Sequence, residues 1–351
     1  MKNLYDNPLY LEDLRTAAAA GLPWERLRDK AILISGATGL IGSFLIDVLV
    51  EVSRSWELNL RIYALGRSEE KARARFSECW DRLVFLPYDV NLPFVRDELG
   101  KTDFVIHLAS NTHPLAYAND PIGTVMTNII GTGNMLDFAV RHGAERCVFA
   151  SSVEVYGENR GDTELFDEGY CGYIDCNSLR AGYPESKRCG EALCQAYIRQ
   201  KGLDIVIPRF ARVYGPTMQK SDSKAIAQFI GKAVAGEDIV LKSEGTQYYS
   251  FLYVSDAVTG LLTALLKGAC GEAYNVSDAA SDIWLRDLAC LIAREAGKAI
   301  VFDLPSETER AGYSKATKAR LDSGKLQALG WRANYSIASG VSRTIGILKQ
   351  L

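Results

Sequence analysis

Histidine is scarce in this chain, with three residues among 351, and none stands at zinc-ligand spacing from a cysteine. The eight cysteines form no Cys-x-x-Cys pair, which excludes a zinc finger or ribbon and leaves Cys171, Cys176, Cys189 and Cys194 to be read as reduced thiols; no metal site is expected. No apolar run reaches the ~18 residues that a membrane span needs. The N-terminus carries Asp6, Glu12, Asp13 and Arg15 where a secretion signal needs an apolar core. A cytoplasmic protein with no membrane partner is the expectation. Basic charge is not in excess either: 40 Lys and Arg face 43 Asp and Glu, a net charge of −3. No surface field therefore draws nucleic acid, and an anionic partner has to be held by a few local cations, which points to a small ligand. There is no internal repeat. What is present, 48% hydrophobic and 24% charged residues, suffices for one large core with a smaller lobe.

The most informative stretch is Ala31-Ile32-Leu33-Ile34-Ser35-Gly36-Ala37-Thr38-Gly39-Leu40-Ile41-Gly42. An apolar run too short for a helix ends in three glycines spaced three apart, and an apolar helical pattern follows, so the segment reads as strand, tight turn, helix. In such a turn Gly36 bends the chain, Gly39 lets the backbone approach a pyrophosphate, and Gly42 lets the helix lie close on the strand. The helix N-terminus supplies free N–H groups and positive dipole to the anion. The spacing is one residue wider than the Gly-x-Gly-x-x-Gly fingerprint.

Strand and helix then alternate. A second strand, Leu60 to Leu65, ends at Gly66-Arg67-Ser68, where a dinucleotide fold chooses its cofactor; an acidic residue there would hold the ribose hydroxyls of NAD. This chain has none, and Gly66 with Arg67 leans toward NADP or toward tolerance of both cofactors. A third strand, Leu83 to Val90, brings Asp89 and Val90 to the groove. A fourth, Asp103 to Ser110, is apolar nearly throughout, as a strand covered on both faces should be; its end, Leu108, Ala109 and Ser110, is expected to run beside the cofactor, and His107 within it reads as a core residue. After a helix carrying Asn128, a fifth strand runs from Arg146 to Ser152. The alternation predicts an α/β fold with a doubly wound parallel sheet.

Two further pieces carry chemistry: Ser151-Ser152-Val153-Glu154-Val155-Tyr156-Gly157 at a strand's carboxyl end, and Tyr183-Pro184-Glu185-Ser186-Lys187 opening a helix. Tyr183 and Lys187 are four apart and share a helix face. A phenol of pKa near ~10 is a poor base at neutral pH, and an ammonium beside it is expected to draw that pKa toward the working range. Ser152 can bind a substrate oxygen whose proton passes to Tyr183 while the same carbon gives a hydride to the cofactor.

Together these residues resemble the extended short-chain dehydrogenases/reductases, the nucleotide-sugar epimerases, dehydratases and decarboxylases. The likeness runs from Ala31 to Trp331 and includes Tyr214-Gly215-Pro216, Tyr253-Val254-Ser255-Asp256 and Leu329-Gly330-Trp331. The runs His107-Leu108-Ala109-Ser110, Asn128-Ile129-Ile130-Gly131-Thr132 and Arg180-Ala181-Gly182-Tyr183 are most similar to UDP-glucuronate decarboxylases. The resemblance implies a Rossmann-type sheet with a smaller α/β substrate lobe. It divides the chain into an N-terminal helical arm (1–30), a dinucleotide-binding domain (31–210 plus about 251–275) and a nucleotide-sugar lobe (211–250 plus about 276–340). It implies Tyr183, Lys187, Ser152 and Glu154 as catalytic residues. Gly36, Thr38, Gly39, Leu40, Ile41, Gly42, Arg67, Asp89, Val90, Leu108, Ala109, Ser110 and Asn128, with Tyr183 and Lys187, would bind NAD or NADP. Asn111, Arg180, Arg212, Tyr249 and Arg310 would meet the substrate. A homodimer is implied through the helices near Asn128 and Tyr183.

Members of this family begin by oxidising C4 of the sugar. Hexose 4,6-dehydratases carry an Asp after the Ser/Thr to protonate the departing C6 hydroxyl; Val153 occupies that place and can donate no proton. Glu154 remains, which a simple epimerase does not require and decarboxylases carry. Two departures stand out. Relatives hold an arginine where this chain has Tyr249, and an asparagine where it has Arg212, so Arg212 is expected to replace the missing fork. The leading expectation is a UDP-glucuronate decarboxylase-like enzyme acting on a nucleoside-diphosphate sugar. A nucleotide-sugar 4-epimerase, an NADPH-dependent ketosugar reductase and a catalytically silent nucleotide sensor are the alternatives.

Overall fold

The computed structural model describes residues 3–112, 114–303 and 317–351. Strand β1 (Ala31–Ser35) pairs in parallel with β2 (Arg61–Gly66) on one side and β4 (Phe104–His107) on the other; β3 (Val84–Pro87) extends the sheet beyond β2. Beyond β4 lie β5 (Arg146–Phe149), β7 (Ile205–Phe210) and β11 (Ala273–Val276), while β6 (Ser151–Ser152) pairs β7, so the strand order is β11-β7-β5-β4-β1-β2-β3. This is the doubly wound parallel sheet expected. The pleat sends successive side chains to opposite faces. Ile32, Ile34, Phe104 and Ile106 enter one core, and Ala31, Leu33 and Val105 enter the other. Helices α1 (Pro8–Ala18), α2 (Leu40–Ser55) and α8 (Val254–Lys267) cover the first face; α5 (Pro121–Arg141) and α6 (Gly182–Lys201) cover the second. Shorter helices α3 (Glu69–Arg75) and α4 (Pro114–Asn119) and α7 (Ala225–Ala235) complete the order up to α8. No described helix is long and apolar enough to cross a membrane.

Three strands stop earlier than their apolar sequence predicts, and each stop has a local cause. The third ends at Pro87, so Tyr88, Asp89 and Val90 lie outside the sheet. The fourth ends at His107, because Ser35 Oγ accepts hydrogen bonds from Leu108 N at 3.2 Å and Ala109 N at 3.3 Å and draws the chain out of the ladder. The fifth breaks at Ala150, whose carbonyl accepts from Lys187 Nζ at 2.9 Å. Each exit leaves backbone facing the groove above the sheet.

A second sheet sits over that edge. In it strand β10 (Tyr248–Tyr253) pairs with β8 (Arg212–Tyr214), β12 (Asp282–Trp284) and β14 (Lys318–Ala319); β9 (Ile239–Leu241) and β13 (Ile300–Phe302) form a separate two-stranded sheet. Helices α9 (Leu285–Ala296), α10 (Gly324–Ala328) and α11 (Ile337–Leu348) follow among the described residues. The N-terminal arm packs within its own chain: Asp13, fully buried on α1, accepts from Tyr253 Oη at 2.5 Å and from Arg343 Nε at 2.7 Å. Tyr5, Tyr10 and Arg75 meet on the carboxylate of Asp47. The arm thus ties both ends of the chain to the back of the sheet.

Candidate active site

A groove of about 650 Å³ runs along the carboxyl ends of the main strands, between them and the second sheet. At one end lies the glycine turn. Gly36 holds φ at +71°, the left-handed region that disfavours side chains. A Cβ on Gly42 would stand 2.3 Å from Gly36 O, and one on Gly36 would stand 2.8 Å from Ala109 N. No side chain caps α2 at Gly39, so its first N–H groups are left for an anion. The turn therefore fits a dinucleotide pyrophosphate, as its sequence implies.

At the other end stand the chemical residues. Tyr183 and Lys187 occupy the first turns of α6 and are buried, 5% and 3% exposed. Ser152 ends β6 and caps the turn beyond it, accepting from Glu154 N at 3.3 Å. Tyr117, on α4, stacks on Tyr183 with ring centroids 4.7 Å apart, and the Arg180 guanidinium lies 4.7 Å from the Tyr117 centroid. Arg180 Nη2 donates to Glu154 Oε2 at 2.9 Å, and Arg212 Nη2 lies 3.7 Å from the other carboxylate oxygen.

The electrostatics differ from the sequence expectation. Burial pushes the Tyr183 phenol up to about 12; the neighbouring Ser152 hydroxyl is the strongest opposing influence, with Arg180 and Ser110 also favouring the phenolate. Lys187, which donates to the Ala150 carbonyl at 2.9 Å, is not among the leading influences on that phenol. Burial brings Lys187 itself down to about 8, against the pull of Glu191. His107 is pushed down to about 3 by burial and by Lys187. It is a neutral core residue, its Nδ1 2.7 Å from Ser35 Oγ.

Nearly all the residues singled out from sequence line this groove. Asn128 does not: it is fully buried, its Oδ1 accepting from Ser110 Oγ at 2.6 Å and its Nδ2 donating to Ser186 Oγ at 2.9 Å. It holds Ser110 in place rather than meeting a cofactor. Arg310 lies outside the described residues. Tyr117, Gln219 and the Ser221–Lys224 segment line the groove without having been singled out. A lone tyrosine in a Pro-bounded helix of one and a half turns carries no spacing signal, and only the packing of α4 against α5 and the Leu179–Ala181 turn brings it to Tyr183.

A parallel dinucleotide-type sheet, an uncapped glycine turn and a buried Ser, Tyr and Lys set at the strand ends define the extended short-chain dehydrogenase/reductase class. The chain belongs to the NAD dependent epimerase/dehydratase family, which matches residues 32–277. It is 32% identical to UDP-glucuronic acid decarboxylase 5 of Arabidopsis thaliana over 88% of this chain and 86% of that one. It is 31% identical to UDP-glucuronic acid decarboxylase 1 of Xenopus tropicalis, over 90% and 71% respectively. Among solved structures, the dTDP-glucose 4,6-dehydratase DesIV of Streptomyces venezuelae, which holds NAD, superposes with a TM-score of 0.79 at 25% identity, covering 91% of this chain and 97% of the other.

Proposed function

We propose that this chain binds a nucleoside-diphosphate uronate, oxidises it transiently at C4 and releases its carboxyl group as carbon dioxide, in the manner of a UDP-glucuronate decarboxylase. The supporting observation is the charge around Glu154. One carboxylate stands between two guanidinium groups, which leaves one positive charge over. Arg180 Nε and Nη1 and Arg212 Nη1 are buried and have no hydrogen-bond partner among the described residues. Buried guanidinium N–H groups without acceptors are costly, and a carboxylate answers them with charge-assisted bonds.

A nicotinamide cofactor held on the Gly36–Gly42 turn would supply the hydride acceptor for C4 and the hydride that later reduces the ketone. Ser152 holds the C4 oxygen while Tyr183 takes its proton. The resulting C4 ketone lies β to the carboxylate, so the bond between C5 and C6 breaks with its electrons delocalised onto the ketone oxygen, and C5 then takes up a proton. No acid is needed at C6, which agrees with Val153 beside Ser152. Lys187, anchored on Ala150 O, would also hold the nicotinamide ribose in this reading.

The second sheet with α7 and α9 is the nucleotide-sugar lobe in this reading, and two copies pair through α5 and α6. Ile122, Met126 and Ile130, one turn apart along α5, are 76%, 42% and 38% exposed. An apolar stripe of that kind on an amphipathic helix fits a partner surface. Incubation with UDP-glucuronate followed by NMR tests the reaction: carbon dioxide with a UDP-pentose is the expected outcome. Recovery of the C4 epimer with its carboxylate intact would assign 4-epimerisation in its place.

A further inference from the structure

The groove receives the ends of β2 and β3, where Leu65, Gly66, Arg67, Tyr88 and Asp89 line it. Gly66 closes β2 at the position where a dinucleotide fold carries the carboxylate that reads the two ribose hydroxyls. A side chain there would begin against the Phe85 ring at 3.3 Å. Bare of one, the strand end presents only backbone there, with Thr38 Oγ1 4.0 Å from that Cβ position. Arg67 follows, exposed and lining the groove. It makes no hydrogen bond or ion pair with any described residue. Two carboxylates near it in the chain or the groove have partners of their own: Glu69 pairs with Arg73 at 2.7 Å, and Asp89 Oδ1 accepts from Asn91 N at 2.9 Å within its own turn.

We infer that this end of the groove is built for a 2′-phosphate, so that the chain takes NADP(H) in preference to NAD(H), with Arg67 as the residue that decides. The inference rests on the reading of the glycine turn as a dinucleotide cradle. Three features agree. The diol-reading carboxylate is missing, glycine puts no side chain in its place, and a guanidinium free of internal partners follows it in the chain, with a hydroxyl near the strand end. A phosphate dianion suits the planar fork of arginine, and a hydrogen bond to it is charge-assisted. The ribose hydroxyls of NAD are neutral and offer the same cation little.

Titration of the full-length protein with 2′,5′-ADP and with 5′-AMP isolates the 2′-phosphate from the nicotinamide and from turnover. The expected result is that 2′,5′-ADP binds at least about tenfold more tightly, and that calorimetry with NADP and NAD gives the same order. In Arg67→Ala the advantage is expected to vanish with NAD affinity unchanged; Arg67 is exposed, so the fold has no stake in it. Gly66→Asp is expected to reverse the order. Equal affinities in the unaltered protein, or an advantage that survives Arg67→Ala, would overturn the inference and leave the dinucleotide site standing. Failure of all four ligands to bind would overturn the cradle reading as well.

Discussion

Arg212 lies flat on the ring of Tyr249, its guanidinium carbon 3.5 Å from the ring centroid. The two sit on paired strands, β8 and β10, with Arg212 opposite Phe251, two residues beyond Tyr249 on the same face. Where relatives are expected to place an arginine on the strand of β10, this chain places an aromatic platform, and its cation comes from β8. Stacking on the ring limits the rotamers of the fork and leaves its edge aimed at Glu154. The pair works as one device.

Arg212→Ala is therefore expected to raise the KM for the nucleotide sugar by about 10- to 100-fold, the range of a lost charge-assisted bond, with cofactor affinity unchanged. Arg212→Lys restores charge without the planar fork and is expected to recover little of the loss. Tyr249→Leu removes the platform and is expected to give a smaller effect of the same kind. Steady-state kinetics beside cofactor titration checks all three; an unchanged KM in Arg212→Ala removes Arg212 from the substrate site.

Tyr183→Phe keeps the stack on Tyr117 and removes only the hydroxyl. Turnover is expected to fall by about a thousandfold, the scale of a lost proton-transfer group, while the variant folds and retains cofactor. Because burial holds this phenol at about 12, kcat in the unaltered enzyme is expected to rise with pH through the neutral range. Product formed at the original rate by the variant would remove Tyr183 from the chemistry.

Lys187 gives a prediction in stability. Its folded pKa, about 8, lies below the ordinary 10.5, so between these values the unfolded chain binds more protons and stability rises with pH. The contribution is full above about 10.5 and is lost as pH falls to about 8. At pH 7 the buried ammonium is a net cost, and Lys187→Met is expected to melt at a higher temperature than the unaltered protein while losing activity. The gap is expected to narrow as pH climbs from 8 toward 10.5. Thermal unfolding across that range checks it, and a gap independent of pH contradicts it.

Ile122→Glu with Met126→Lys places charges on the exposed stripe of α5 without touching the core. Light scattering is expected to report a dimer for the unaltered chain and a monomer for the double variant, with far-UV circular dichroism unchanged. A dimer that persists in the variant moves the interface elsewhere.

Much of this was already written in one dimension. The strand, glycine turn and helix from Ala31 to Phe44 are local, because three glycines and an apolar period decide backbone conformation over a few residues. The same holds for the helical spacing of Tyr183 and Lys187 and for the alternation that predicts a parallel sheet. Tertiary structure decided the rest. It turned Asn128 away from the groove to hold Ser110, stacked Tyr117 on Tyr183, and stopped β4 and β5 early by capturing backbone with Ser35 and Lys187. It also set the phenol of Tyr183 high, because burial depends on everything packed around a group, and placed Arg180 and Arg212 on either side of Glu154. These last residues are far apart in the chain, and their meeting is fixed by which elements pack together, a property that no spacing between neighbours encodes.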